Sequence, residues 1–171
     1  MKKMKIYLLA LTVLVAVSSF AQDDKKKTSG GNSLSIGAEL GIPMSSEFKQ
    51  YFSVGFGGSA KAAFGIFEGG AVTLSAGYMT FSGKDGNTTK FNVVPVKAGL
   101  RYNLGSGVYA EPQLGMSFRS FAGESTSAFT YAFGVGTIIN NQIDIGVRYE
   151  AITKNGTDGF LGARVAYNFG L

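Results

Sequence analysis

The chain of 171 residues has no cysteine, no histidine, no tryptophan and only 3 prolines. Without cysteine it has neither disulfides nor a thiol nucleophile, and no cysteine is available for a lipid anchor after an export signal. Without histidine, a serine such as Ser117 lacks the usual general base that would activate it. Charge is also sparse, at 16% of residues. The glycine-rich stretches "GFGG" and "GVG" open no helix, so they are not nucleotide loops. One long apolar run exists, "IYLLALTVLVAV". Its twelve residues fall short of the roughly 20 that a membrane-spanning helix needs.

That run has the anatomy of an export signal. "MKKMK" is a basic leader, and "SSFA" places small Ser19 and Ala21 at the positions that a signal peptidase reads, so residues 1–21 are expected to leave by cleavage near Ala21/Gln22. Loss of Lys2, Lys3 and Lys5 turns the formal +5 into 13 basic against 11 acidic side chains, a net +2. Such a balanced mature chain, with no basic cluster beyond Lys25 to Lys27 beside Asp23 and Asp24, is not expected to bind nucleic acid. Residues 22–32, "QDDKKKTSGGN", have the composition of a solvated periplasmic linker.

From residue 33 to residue 171 the pattern has period two. In "NVVPVKAGLRYNLG", residues 92 to 105, Val94, Val96, Ala98, Leu100, Tyr102 and Leu104 alternate with Lys97, Gly99, Arg101 and Asn103. Successive strand side chains point to opposite faces, so this is a strand with one apolar and one charged face. The same test finds eight such segments, and no charge falls among their apolar positions. The opposite face holds Glu39, Lys61, Lys97, Arg101, Glu111, Arg119, Asp144, Arg148, Glu150 and Arg164.

Glycine identifies the inside. Thirteen of the 25 glycines share the charged face, and Gly58 alone lies on the apolar one. Glycine weakens a strand and gains nothing on a face open to water, but it belongs where room is scarce. The interior of an eight-stranded barrel is only just wide enough for side chains. The charged face therefore lines a lumen and the apolar face meets lipid, which only a closed sheet without edges tolerates. The expected fold is all-β: an eight-stranded antiparallel up-and-down transmembrane barrel. "FEGG", "GSG" and "NNQ" are its short periplasmic turns. "PMSSEFKQYFS", "SGKDGNTT", "SFAGESTS" and "ITKNGTDG" are longer outer loops of about eight to eleven residues. Phe64, Tyr102, Tyr167 and Phe169 would form one aromatic girdle, and Phe118, Phe129 and Tyr131 the other.

The stretches "VVPVKAGLRYNLGSGVYAEPQLGMSF", "FGVGTIINNQIDIGVRYEAI" and "LGARVAYNFGL" resemble the small eight-stranded outer-membrane barrels of Gram-negative bacteria. They are most similar to the outer membrane protein beta-barrel domain proteins of Bacteroidota, related in form to the OmpA and OmpX transmembrane domains. The resemblance covers residues 33 to 171. It implies outer-membrane lipid and lipopolysaccharide as surroundings and the barrel-assembly machinery as a partner during biogenesis. The C-terminal stretch is similar to the signal read by that machinery, although it closes on Leu171 rather than Phe. Enzymes of this shape depend on histidine, so the chain is expected to be non-enzymatic and without a cofactor.

The ten lumen charges are the strongest constellation. A charge in a narrow interior costs several kcal/mol unless paired, so they are read as an ion-pair network, with a small ion or proton pathway as the sharper alternative. If "GSG" is a three-residue hairpin loop, Leu104 faces Val108 and Arg101 stands opposite Glu111. "KDGNTT" and "KNGTDG" carry acids beside asparagine that could hold Ca²⁺ weakly, but they also make ordinary turns. No metal is assigned. Two functions follow from these features: an envelope-stabilising or surface-interaction barrel with an unidentified extracellular ligand, or a narrow pore for small solutes or ions.

Overall fold

The computed structural model describes residues 32–84, 90–121 and 124–171. The expected signal, 1–21, and residues 22–31 of the expected linker lie outside them. Eight strands follow: β1 (Ser33–Pro43), β2 (Phe52–Phe67), β3 (Gly70–Gly83), β4 (Lys90–Gly105), β5 (Val108–Phe121), β6 (Glu124–Ile139), β7 (Ile143–Thr153) and β8 (Thr157–Gly170). One short helix, α1 (Ser46–Tyr51), stands between β1 and β2. Each strand pairs with its sequence neighbours, and β1 pairs antiparallel with β8 from Ser33↔Gly170 to Pro43↔Phe160, closing the barrel. Closure leaves no strand edge unpaired.

The alternation places side chains as expected. Leu100 is 54% exposed on the outside and its neighbour Arg101 is 6% exposed in the lumen. Tyr102, Tyr167 and Phe169 are exposed near the end that carries the tight turns, and Phe118, Phe129 and Tyr131 toward the opposite end. The turn end is built by residues that tolerate left-handed backbone: Gly69 (φ 80°), Ser106 (52°), Gly107 (78°), Asn140 (51°) and Asn141 (59°). Paired positive φ values match the right-handed twist of the flanking strands. At the β4–β5 turn the detail differs from the expected loop. Gly105, not Leu104, pairs with Val108, and a bulge between Asn103 and Gly105 absorbs the extra residue. The register beyond the bulge still runs through Tyr102↔Ala110 and Gly99↔Gln113, which sets Arg101 opposite Glu111.

The other end differs more. Two of the stretches expected as long outer loops are largely strand: in "SFAGESTS" Phe121 pairs with Glu124, and in "ITKNGTDG" Thr153 pairs with Thr157. Residues 85–89 of "SGKDGNTT", with most of the candidate Ca²⁺ stretch "KDGNTT", lie outside the described residues. Six of the eight strands run 14 to 16 residues, more than the roughly 9–11 that cross a bilayer, so their hairpins continue past the apolar band. There the outward face no longer needs to be apolar, and Ser and Thr replace the alternation by which a strand is recognised. "PMSSEFKQYFS" contains α1 instead of an unstructured loop.

Within this extension the lumen changes character. Met79, Phe81, Phe91, Val93, Ile152 and Phe160 point inward and form one buried apolar cluster with Phe48 of α1, Phe52 and Ala128. The ring centroid of Phe81 lies 4.9 Å from that of Phe48 and 5.4 Å from that of Phe160. Phe48 therefore fastens α1 across the loop end. Glycine makes the space, since a Cβ on Gly55 would fall 2.6 Å from the Phe81 ring.

Candidate functional site

Toward the turn end the lumen is polar and charged. β1 contributes Glu39, β2 Lys61, β4 Lys97 and Arg101, β5 Glu111 and, nearer the loop end, Arg119, β7 Asp144, Arg148 and Glu150, and β8 Arg164. Nine of these ten form a single chain of alternating sign. Glu111 lies between Lys61 (3.1 Å) and Arg101 (3.0 Å). Asp144 lies between Arg101 (3.6 Å) and Arg164 (3.0 Å). Glu39 lies between Arg164 (3.6 Å) and Arg148 (2.8 Å). Glu150 lies between Arg148 (2.7 Å) and Lys97. Desolvating each ion costs several kcal/mol, and contact with opposite charge on two sides offsets that cost.

Arg119 stands apart from the chain. It pairs at 2.7 Å with Asp158, a residue that the sequence pattern assigns to an outer loop and the structure places on β8. Its partner was hidden because a turn-rich segment, "KNGTDG", gives no sign that its last residues re-enter a strand.

β3 and β6 supply hydroxyls in place of charges. Thr73 donates to Glu111 (3.0 Å) and Thr130 to the Ala151 carbonyl (3.1 Å). Several lumen residues carry no charge and so escape a search for ionisable groups. The Ser59 hydroxyl donates to Glu39 (2.5 Å) and accepts from Arg164 (2.9 Å). Gln113 donates to Glu111. Tyr109 donates to Asp144 (2.5 Å), and the Arg101 guanidinium lies 4.1 Å from its ring centroid. Inward parity is the available signal for all three, since each sits two residues from a lumen charge on its own strand.

Tyr109 closes the turn side as the aromatic cluster closes the loop side. The ring lies across Gly136, where a Cβ would come within 2.5 Å of the phenol oxygen. Two small, partly open voids among the charged side chains measure about 30 Å³ and about 20 Å³. A single water needs about 10–15 Å³, so these hold one or two waters each and no organic solute. Among the described residues no group of acids is arranged to hold a metal ion.

Residues 7–169 match the family model described as outer membrane protein beta-barrel domain. Among solved structures, the N-terminal β-barrel domain of Pseudomonas aeruginosa OprF aligns with a TM-score of 0.62 at 15% identity, covering 82% of this chain and 99% of that one. Ail, the attachment invasion locus protein of Yersinia pestis, in complex with the heparin analogue sucrose octasulfate, aligns with a TM-score of 0.59 at 19% identity, covering 82% and 99%. Neisserial surface protein A aligns with a TM-score of 0.54 at 18% identity, covering 81% and 94%. At such identities the likeness is one of fold. No curated protein matches the chain.

Proposed function

The chain belongs to the outer membrane protein beta-barrel domain family, and from that premise we propose that it is a non-conducting, non-enzymatic barrel that stabilises the envelope or carries a surface interaction. The observation that supports this reading is the double closure of the lumen. An alternating chain of nine charges fills the turn half, and an aromatic cluster under α1 fills the loop half. A barrel blocked in this way offers partners only its outer wall and its rims. The absence of histidine and cysteine supports the non-enzymatic part. In this reading the signal is cleaved near Ala21/Gln22, the barrel-assembly machinery inserts the barrel, and outer-membrane lipid and lipopolysaccharide surround it with the turn end in the periplasm.

Planar bilayers test the reading directly. Purified barrel should give no steady unitary conductance, and crosslinking on intact cells should capture a partner through α1 or the hairpin tips. Large, long-lived channels would replace this reading with a narrow pore.

The lipid-facing wall has its own test. Leu100 lies exposed within the apolar band of β4, and Leu100→Arg should cost about 2 to 4 kcal/mol on reversible refolding into lipid vesicles. A negligible loss would place that face in water.

A further inference from the structure

The charges of the sealed lumen do not balance. The chain of alternating charges has five cations and four carboxylates, and it begins and ends on lysine. Each of Arg101, Arg148 and Arg164 touches two carboxylates, whereas Lys61 touches only Glu111 and Lys97 only Glu150 among the described residues. The two ends of the chain come back together in space. Lys61 and Lys97, with Arg148 and Arg164, border the same void of about 20 Å³, and Glu39 is the one carboxylate that borders it with them. The Ser75 hydroxyl also lines this void, and its 3.5 Å contact with the Lys97 carbonyl is long enough to leave it available as a donor.

We propose that this void binds one small monovalent anion, for which chloride is the physiological candidate. A buried cation without a counter-charge is costly, and an anion between the two lysines turns the open chain into a closed ring of alternating charge. Size restricts the choice. The void is somewhat larger than the about 10–15 Å³ that one water requires, which suits a halide better than the bulkier sulfate or phosphate. The site rests on the sealed-lumen reading, because in a water-filled pore bulk ions would screen the excess charge.

Bromide is the probe. Crystals of the intact mature barrel grown in sodium bromide should show an anomalous peak between Lys61 and Lys97. The thermal midpoint should rise with chloride concentration, by roughly 4 °C per tenfold once the site begins to saturate, and should not rise with sulfate at matched ionic strength. Lys61→Met and Lys97→Met each balance the count, so each should lose both the peak and the chloride response. A wild-type lumen without bromide, or a chloride response that persists in both variants, would overturn the site. If neither variant folds, the wild-type peak decides alone. Steady conductance in bilayers would overturn the sealed lumen itself, whereas bromide missing from a non-conducting barrel would overturn only the anion site.

Discussion

Glu111→Ala is expected to destabilise the barrel by about 3 to 5 kcal/mol, and Arg101→Ala by at least about 1 kcal/mol less. An isolated buried pair would make the two losses similar, because either change strands one charge. Here the carboxylate is shared. Removing Glu111 strips Lys61 of its one carboxylate, leaves Arg101 only the 3.6 Å contact with Asp144, and orphans the donors on Thr73 and Gln113. Removing Arg101 leaves Glu111 with Lys61 and Asp144 with Arg164. The double variant should cost less than the two losses summed, since both single changes damage one network. Equilibrium urea unfolding in vesicles, followed by circular dichroism because the chain has no tryptophan, supplies the three numbers. Equal single losses, or strict additivity, would contradict a carboxylate held by two cations.

Phe81→Ala should cost about 3 to 5 kcal/mol, the range for deleting a fully buried aromatic side chain. Phe81 has 0% exposure and joins α1 to β8 through its contacts with Phe48 and Phe160. The loss therefore combines apolar transfer, a cavity, and ring contacts worth about 0.5 to 1.5 kcal/mol per pair. It should also have a local consequence. α1 has only six residues, too few to hold itself as a helix without packing, so loss of the Phe48 anchorage should free it. Trypsin should then cut after Lys49 in the variant under conditions that leave the wild type intact, as read by mass spectrometry. A protease-resistant α1 in Phe81→Ala would show that the helix is held by something other than the cluster. Leu104→Ala, on the outward face near the turns, is the control that should leave this cleavage unchanged.

Some of this was legible in the linear chain and some was not. The opposition of Arg101 and Glu111 was predicted from a hairpin count, and the register places them opposite each other although the turn itself is tighter and bulged. In that case two local differences cancel, because the bulge restores the residue that the shorter loop removes. The loop end is not legible in the same way. Met79, Phe81, Phe91, Ile152 and Phe160 have inward parity by the same rule that assigns Lys97 and Arg101, but they lie in or beside stretches whose serines, threonines and glycines resemble loop, while Val93, within the strand-like 92–105 stretch, breaks its alternation by being apolar on the inward face. Outside the lipid band a strand has no apolar outer face, so the alternation that identified the other segments fades there. Asp158 escapes the pattern for the same reason.

What the sequence determined by itself is the barrel. Side-chain alternation is a covalent property of an extended backbone, so the eight strands, their inward and outward faces and the apolar outer wall are local facts that survive without knowledge of any partner. Only the tertiary structure decided which inward groups meet. Arg148 and Glu39 are 109 positions apart and Lys97 and Glu150 are 53 apart, and their contacts depend on how β1 closes against β8 and how far each strand is staggered. Pairing across a lumen is set by closure and shear of the whole sheet, which no single strand encodes. The same closure brings Lys61 and Lys97, the two ends of the charge chain, to the edge of one void.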